Sequence, residues 1–174
     1  MSHPPILGTA AGRWPDEAAC ARSAQALAQA LALAPGLSDA VITLQGGLGA
    51  GKTTFTRHLL QALGVQGRIK SPTYSVMEPH EGQVAGHPLA ISHFDFYRLR
   101  DPQEWEDAGF RDVFAEPGLK LCEWPEQVAG LLPPADLALH LSIEADGSRR
   151  VQAQAHGLRG STLLERLAST WRPA

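Results

Sequence analysis

The chain of 174 residues contains only two cysteines and has no excess of basic residues. Cys20 and Cys122 lack the close spacing of a zinc or redox pair, and two thiols are too few for a disulfide scaffold, so both are expected to be reduced. The formal net charge of −3 provides no basic field for gripping a nucleic-acid backbone. We therefore expect no binding to DNA, and only an indirect or local role with RNA.

Long hydrophobic runs are also missing. No apolar stretch approaches the roughly 18 residues that a membrane span needs, and the N-terminus lacks the basic-then-apolar pattern of a signal peptide. We expect no membrane contact and a cytoplasmic location. The hydrophobic content of 44% suffices for one core, so residues 1–174 are predicted to form a single domain, with its core at about 15–155 and a frayed C-terminal tail.

Hydrophobic periodicity predicts a mixture of helices and strands. Helices are predicted at 16–33 and 52–63, from Asp101 onward, where Pro102 and Glu104 complete a helix-start signal, and around 163–167. Strands are predicted at 40–44, 73–78, 89–96, 119–122, 137–143 and 151–155. The last two would form a hairpin around the Asp146-Gly147 turn, and the stretch containing Gly82 and Gly86 would be a hairpin or a mobile loop.

The loop at 46–53, Gly-Gly-Leu-Gly-Ala-Gly-Lys-Thr, matches the phosphate-binding pattern G-x-x-x-x-G-K-[ST]. It lies between a predicted strand and a predicted helix, as that motif requires. Backbone N–H groups of such a loop point into one concavity, Lys52 reaches the β- and γ-phosphates, and the Thr53 hydroxyl ligates Mg²⁺. The sequence therefore predicts a three-layer α/β P-loop NTPase domain, with a mainly parallel sheet near the loop and antiparallel additions from the two hairpins.

Hydrolysis of a bound nucleotide also needs a carboxylate near the metal and a group that orients water. Glu123 and Asp95 both end short apolar strands and qualify. Thr73 follows the P-loop helix at a distance where a switch segment could meet the γ-phosphate, although by itself the segment is more typical of a turn before a strand.

The sequence gives less information about which nucleotide base the protein would bind. It contains no Asn-Lys-x-Asp segment, so the usual guanine-reading loop is absent and ATP or ADP is the expected nucleotide. Trp124 could stack on nucleotide or a partner, or could simply be packed. Arg98, Arg149 and Arg150 could each contact nucleotide or lie free at the surface.

Four ordered motifs resemble the bacterial TsaE (YjeE) family, the ATPase of tRNA threonylcarbamoyladenosine biosynthesis. They lie at 48–55, 70–74, 93–98 and 123–125, within a resemblance that extends over about 15–150. The resemblance implies an ATPase that works with the TsaB–TsaD pair while the pair transfers a threonylcarbamoyl group to tRNA. This chain would meet tRNA only through that complex and would not catalyse the transfer itself.

The resemblance also implies roles for individual residues. Nucleotide would be held by Glu17, Gly49, Ala50, Gly51, Lys52, Thr53, Thr54 and Arg149, with Glu17 near the adenine. Thr53 and Glu123 would hold Mg²⁺, and Asp95, Glu123 and Lys52 would serve hydrolysis. The chain departs from the family by having Gly47 where aspartate is usual, which puts in doubt any interaction that the aspartate makes with a partner or switch.

Two other functions remain open. A small-molecule P-loop kinase would need an arginine-rich lid and an acceptor pocket, for which 98–111 offers arginines diluted by acidic residues. A nucleotide-dependent binding module without useful turnover would share the same loop. Stimulation of turnover by a partner would separate these functions.

Overall fold

The computed structural model describes residues 5–69, 72 and 75–171. The strands are β1 (Ile6–Trp14), β2 (Val41–Gln45), β3 (Met77–Val84), β4 (His87–Asp95), β5 (Leu119–Glu123), β6 (Leu137–Ile143) and β7 (Arg149–His156). The α-helices are α1 (Glu17–Ala30), α2 (Lys52–Ala62), α3 (Pro102–Asp107), α4 (Phe110–Ala115) and α5 (Gly157–Ser169). None of the helices in these ranges is long and apolar enough to cross a membrane.

The strands form one seven-stranded sheet in the order β1-β7-β6-β2-β5-β4-β3. Its centre is parallel, because β2 pairs in parallel with both β5 and β6, and β4 pairs in parallel with β5. The hairpins β3–β4 and β6–β7 are antiparallel, as is the pairing of β1 with β7. The predicted α/β fold, parallel near the glycine-rich loop with antiparallel additions, is confirmed.

The two faces of the sheet pack against different helices. The sequence Val41-Ile42-Thr43-Leu44 is buried throughout, and its side chains alternate between the two faces. Ile42 and Leu44 join the larger core, which α1, α2 and α5 cover, while Val41 joins an aromatic cluster beneath α3 and α4. This gives the three predicted layers.

Several predicted boundaries move. Helix α1 is capped as expected, since Asp16 accepts the Ala19 N–H at 2.9 Å, but it ends at Ala30. The strand predicted at 73–78 is instead Met77–Val84, and residues 73 and 74 lie outside the described residues. Gly82, assigned to the connection, lies inside this strand and pairs with Leu89. A Cβ there would lie 2.8 Å from Leu63 O, so the close approach of that backbone requires glycine. The connection is a tight hairpin at Ala85-Gly86.

The sequence predicts no strand before Pro15, yet β1 occupies Ile6–Trp14 at the sheet edge. Its register pairs Thr9 with Gln154 and Trp14 with Arg149. Residues 8–12 of β1 are small, and the strand is exposed or half-buried up to Trp14, whose buried ring stacks on Phe55 of α2 with centroids 5.3 Å apart. Pairing with β7 therefore determines this strand more than its own hydrophobic pattern does.

Candidate functional site: the glycine-rich loop and its two cavities

The glycine-rich loop joins the carboxyl end of β2 to the first residue of α2, Lys52. Gly49 and Gly51 adopt φ values of +76° and +107°, which side-chain-bearing residues rarely reach. A Cβ on Gly46 would lie 2.5 Å from the carbonyl oxygen of Leu141. The chain therefore needs glycine at these positions to form a concave turn at the N-terminus of a helix, where backbone N–H groups attract anions.

Lys52 is 5% exposed and bends back over the loop. Its Nζ donates to the carbonyl oxygens of Gly46 at 2.5 Å and Gly47 at 2.8 Å, and it lies 4.1 Å from the centroid of the Trp124 ring. Burial lowers the pKa of Lys52, and the nearby Glu123 carboxylate acts in the opposite direction. The ammonium group is thus held at the loop, beside the place where a phosphate would bind.

Two acids end neighbouring parallel strands beside this loop. Glu123 on β5 pairs in register with Asp95 on β4, so both carboxylates reach the same edge of the sheet. The Thr53 hydroxyl donates to Glu123 Oε1 at 2.8 Å, and Asp95 Oδ1 accepts the N–H of Tyr97 at 3.0 Å. The two predicted acids therefore face the first turn of α2.

These groups enclose a cavity of about 290 Å³. It is lined by Leu48, Gly49, Gly51, Lys52, Thr53, Thr54, Asp95, Tyr97, Glu123, Trp124 and Arg149. The structure thus brings together nearly all of the residues expected at the phosphates, and the buried Ala50 lies within the same loop. Thr73 lies outside the described residues.

The oxygen atoms of Thr53 and Glu123 fit a divalent cation bound together with phosphate. A hydroxyl and a carboxylate that already touch are the hard oxygen ligands that Mg²⁺ accepts, and Mg²⁺ commonly takes only one or two protein ligands beside phosphate and water. Within the described residues, no group of three or more His, Cys, Asp or Glu side chains could hold a metal ion. The donor set therefore suits Mg²⁺ carried by a nucleotide better than an all-protein metal cage.

Of the arginines considered, Arg149 lies at the loop. Its guanidinium donates to the carbonyl oxygens of Ala50 and Gly49 at 3.1 Å each and of Gly147 at 2.5 Å. Arg150, the next residue on β7, projects from the other face of the sheet and is exposed. Arg98 is exposed and does not line the cavity.

A second cavity of about 180 Å³ adjoins the first. Gly51, Thr54 and Arg149 line both cavities, and the second is completed by Trp14, Pro15, Asp16, Glu17, Cys20 and Gly147. Glu17 is thereby placed next to the loop. Hydrogen bonds from His58 at 2.9 Å and Arg57 at 2.7 Å connect its carboxylate to α2 and lower its pKa.

The residues of these cavities that sequence reasoning did not assign to the site include Trp14, Tyr97 and Gly147. Trp14 ends a strand that carried no clear pattern, and Gly147 was assigned only to a turn. Tyr97 packs against Trp124 with ring centroids 4.8 Å apart, and Trp124 adopts the left-handed conformation, with φ of 57° and ψ of 49°. Trp124 is therefore part of the cavity wall, fixed by Tyr97 on one side and Lys52 on the other.

Comparison with known proteins agrees with this geometry. The family model described as "Threonylcarbamoyl adenosine biosynthesis protein TsaE" matches residues 14–151. A Haemophilus influenzae protein named tRNA threonylcarbamoyladenosine biosynthesis protein TsaE is 39% identical over 150 residues, covering 86% of this chain and 92% of that protein. A Bacillus subtilis protein of the same name is 35% identical over 128 residues, covering 74% and 77%.

A solved structure extends the comparison to the fold. The crystal structure of Bacillus subtilis YdiB superposes with a TM-score of 0.73 at 26% sequence identity, covering 95% of this chain and 97% of that one. The family match covers most of the described sheet and the whole glycine-rich loop. The chain belongs to the TsaE family of threonylcarbamoyladenosine biosynthesis proteins, with a P-loop nucleotide-binding fold.

Proposed function

We propose that this protein binds and hydrolyses ATP with Mg²⁺ and acts as a nucleotide switch on the TsaB–TsaD pair during tRNA threonylcarbamoyladenosine modification in the cytoplasm. The observation that carries the proposal is the 2.8 Å hydrogen bond between the Thr53 hydroxyl and the Glu123 carboxylate at the first turn of α2. Family membership and the names of the relatives support the role in tRNA modification.

Different groups of the chain would bind the phosphates, hold Mg²⁺ and orient the attacking water. The loop N–H groups and Lys52 would hold the phosphates, because the ammonium group of Lys52 already lies at the loop. Thr53 and Glu123 would hold Mg²⁺, which would neutralise charge on the β- and γ-phosphates. Asp95 lines the same cavity and would orient the attacking water.

The second cavity is proposed to take the adenine. Its wall combines the buried Trp14 with the exposed carboxylate of Glu17, and it continues from the phosphate cavity through Thr54 and Arg149. An apolar wall beside a few polar groups is what a nucleotide base needs.

The geometry gives little support to a small-molecule kinase. The stretch 98–111, which would have to supply an arginine-rich lid, contributes α3 and the start of α4 instead. Trp105 and Phe110 are buried in the aromatic cluster, and Arg111 pairs with Glu106 on the surface. This segment is packed against the sheet and provides core side chains.

The test is ATPase activity of the purified chain with Mg²⁺, alone and with the TsaB–TsaD pair and unmodified tRNA. We expect stimulation by the pair. Lys52→Ala should abolish it by weakening nucleotide binding. Glu123→Gln should bind ADP within about 3-fold of wild type but turn over about 100-fold more slowly or worse, since loss of the metal-holding carboxylate removes several kcal/mol of charge stabilisation.

Glu165→Gln is the matched control, because Glu165 is an exposed acid on α5 that lines neither cavity. It should leave turnover unchanged. Full Mg²⁺-dependent turnover by Glu123→Gln would contradict the metal assignment. Equal turnover with and without the pair would leave an ATPase and remove the proposed partner, and acceptor screens would then test kinase activity.

A further inference from the structure

Glu123 has a second hydrogen-bond partner besides Thr53. His93 Nε2 lies 2.5 Å from Glu123 Oε2, and the two side chains are 0% and 1% exposed. His93 is on β4 opposite Leu121, and it precedes Asp95, the partner of Glu123, by two residues. The imidazole therefore lies behind the carboxylate, on the side away from Thr53.

The surroundings of His93 determine which ring nitrogen carries hydrogen. Among the described residues, Nδ1 of His93 is buried without a hydrogen-bond partner. A carboxylate offers only acceptors, so the ring nitrogen that bonds it carries hydrogen, and a neutral ring then leaves Nδ1 as a lone pair that needs no acceptor. The neutral ring with hydrogen on Nε2 therefore suits this site best, and that hydrogen is donated to Glu123 Oε2.

The two hydrogen bonds to Glu123 leave its carboxylate little freedom. Oε2 accepts from His93 and Oε1 accepts from Thr53, so the plane of the carboxylate is set by groups on β4 and α2. A Thr53 hydroxyl that ligates a cation through a lone pair can still donate its hydrogen to Oε1. His93 is the described side chain that holds the other oxygen, Oε2.

We infer that His93 is a positioning residue for Glu123: its Nε2–H holds Oε2 so that Oε1 stays directed at the cation position beside Thr53. The inference rests on the proposed function, since it assigns Glu123 to Mg²⁺. Partners that orient a metal ligand typically change metal affinity or activity by about 10- to 100-fold when they are removed. A side chain kept only for packing would have no such effect on the metal.

The test compares His93→Gln with His93→Asn. Both substitutions are polar, but the glutamine amide nitrogen can reach the position of Nε2, whereas the asparagine amide nitrogen is limited to that of Nδ1. The readout is the affinity of Mn²⁺ for the protein–ADP complex, measured by electron paramagnetic resonance. ADP affinity in EDTA and the thermal midpoint of the metal-free protein are measured alongside.

His93→Asn should weaken Mn²⁺ binding about 10- to 100-fold, and His93→Gln should stay within about 3-fold of wild type. ADP affinity in EDTA should change by less than about 3-fold in both variants, because neither changes the loop that binds phosphate. His140→Gln is the control, since His140 is an exposed histidine on β6 and should leave all three measurements unchanged.

The outcomes separate this inference from the proposed function. If wild-type protein binds no ADP, the proposed function fails. If wild type binds ADP and Mn²⁺ but His93→Asn binds Mn²⁺ equally well, only the positioning role fails. If both variants fold and lose Mn²⁺ binding equally, the donor at Nε2 is not what matters and the inference is overturned. If His93→Asn does not fold, His93→Gln decides alone, and loss of Mn²⁺ affinity by that variant overturns the inference.

Discussion

Replacing Arg149 by methionine should loosen the glycine-rich loop without changing any residue in it. The Arg149 guanidinium joins the β6–β7 hairpin to the loop through the carbonyl oxygens of Gly49 and Ala50, and it also donates to Gly147 in the turn of the hairpin. Methionine retains much of the aliphatic volume but has no donor and no charge. The loop would then keep its glycines and Lys52 while losing its attachment to β7.

The expected magnitude follows from the two hydrogen bonds to the loop. A bond from a charged donor contributes about 1.5–3 kcal/mol when dry, but Arg149 is only half-buried and water can replace part of each bond. We expect about 1–2 kcal/mol in total for the ordered loop, which corresponds to ADP binding about 5- to 30-fold weaker. The ADP affinity of Arg149→Lys should lie between those of wild type and Arg149→Met, because one ammonium group cannot bond three carbonyl oxygens as a planar guanidinium does.

Isothermal titration calorimetry with ADP measures this difference directly. Arg150→Met is the matched control, since Arg150 is the next residue of the same strand, exposed on the other face of the sheet. It should bind ADP within about 2-fold of wild type, because the lost charge is screened by solvent. Equal ADP affinity for Arg149→Met and Arg150→Met would refute the reasoning and return the choice between the two arginines to an open question.

Three further predictions concern stability and titration. Gly160→Ala should lower the free energy of unfolding in urea by about 2 kcal/mol or more, because its Cβ would lie 1.8 Å from Asp136 O. Gly47→Ala is the control, because a Cβ there meets nothing within 4 Å. Equal stability of the two variants would contradict the packing of α5. Burial raises the pKa of Cys20 to about 12 and also raises that of Cys122, so neither thiol should react with Ellman's reagent at about pH 8 until urea is added. Burial lowers the pKa of His80 below its usual 6.5. As the pH falls, His80 is therefore protonated in the unfolded chain before it is protonated in the folded chain, so the free energy of unfolding decreases below about pH 6.5. His80→Gln should therefore show a smaller drop in melting temperature between about pH 7.5 and 5.5, and an unchanged drop would rule out His80 as a source of acid sensitivity.

The glycine-rich loop could be predicted from sequence because its function depends on neighbours along the chain. The four-residue gap between Gly46 and Gly51, followed directly by Lys52 and Thr53, determines a turn and a helix start with no long-range contact. Glu123 could be predicted as a candidate site residue for a related reason. An acid at the end of a short apolar strand reaches the carboxyl edge of a parallel sheet, where α/β proteins bind ligands.

The adjoining cavity could not be predicted in the same way, because it is assembled from segments distant in sequence. β1 holds Trp14 against α2 only by pairing with β7, more than 130 positions away. The glycines of β1 weaken its strand signal, yet Gly12 is required by packing, since a Cβ there would lie within 2.0 Å of the Trp171 ring. The glycine that makes β1 a poor strand by sequence is thus the residue that lets the C-terminal segment pack against it.

His93 lies between these two cases, and the comparison shows what sequence reasoning could have found. Side chains two positions apart on a strand share a face, so selecting Asp95 at the end of β4 already placed His93 on the side of the sheet that faces α2. Pairing β4 with β5 then brings that imidazole next to Glu123. Alternation alone could have nominated His93 as a neighbour of the carboxylate. Only the structure shows that the pair is wholly buried, and burial is what gives the second hydrogen bond to Glu123 its control over the direction of the carboxylate.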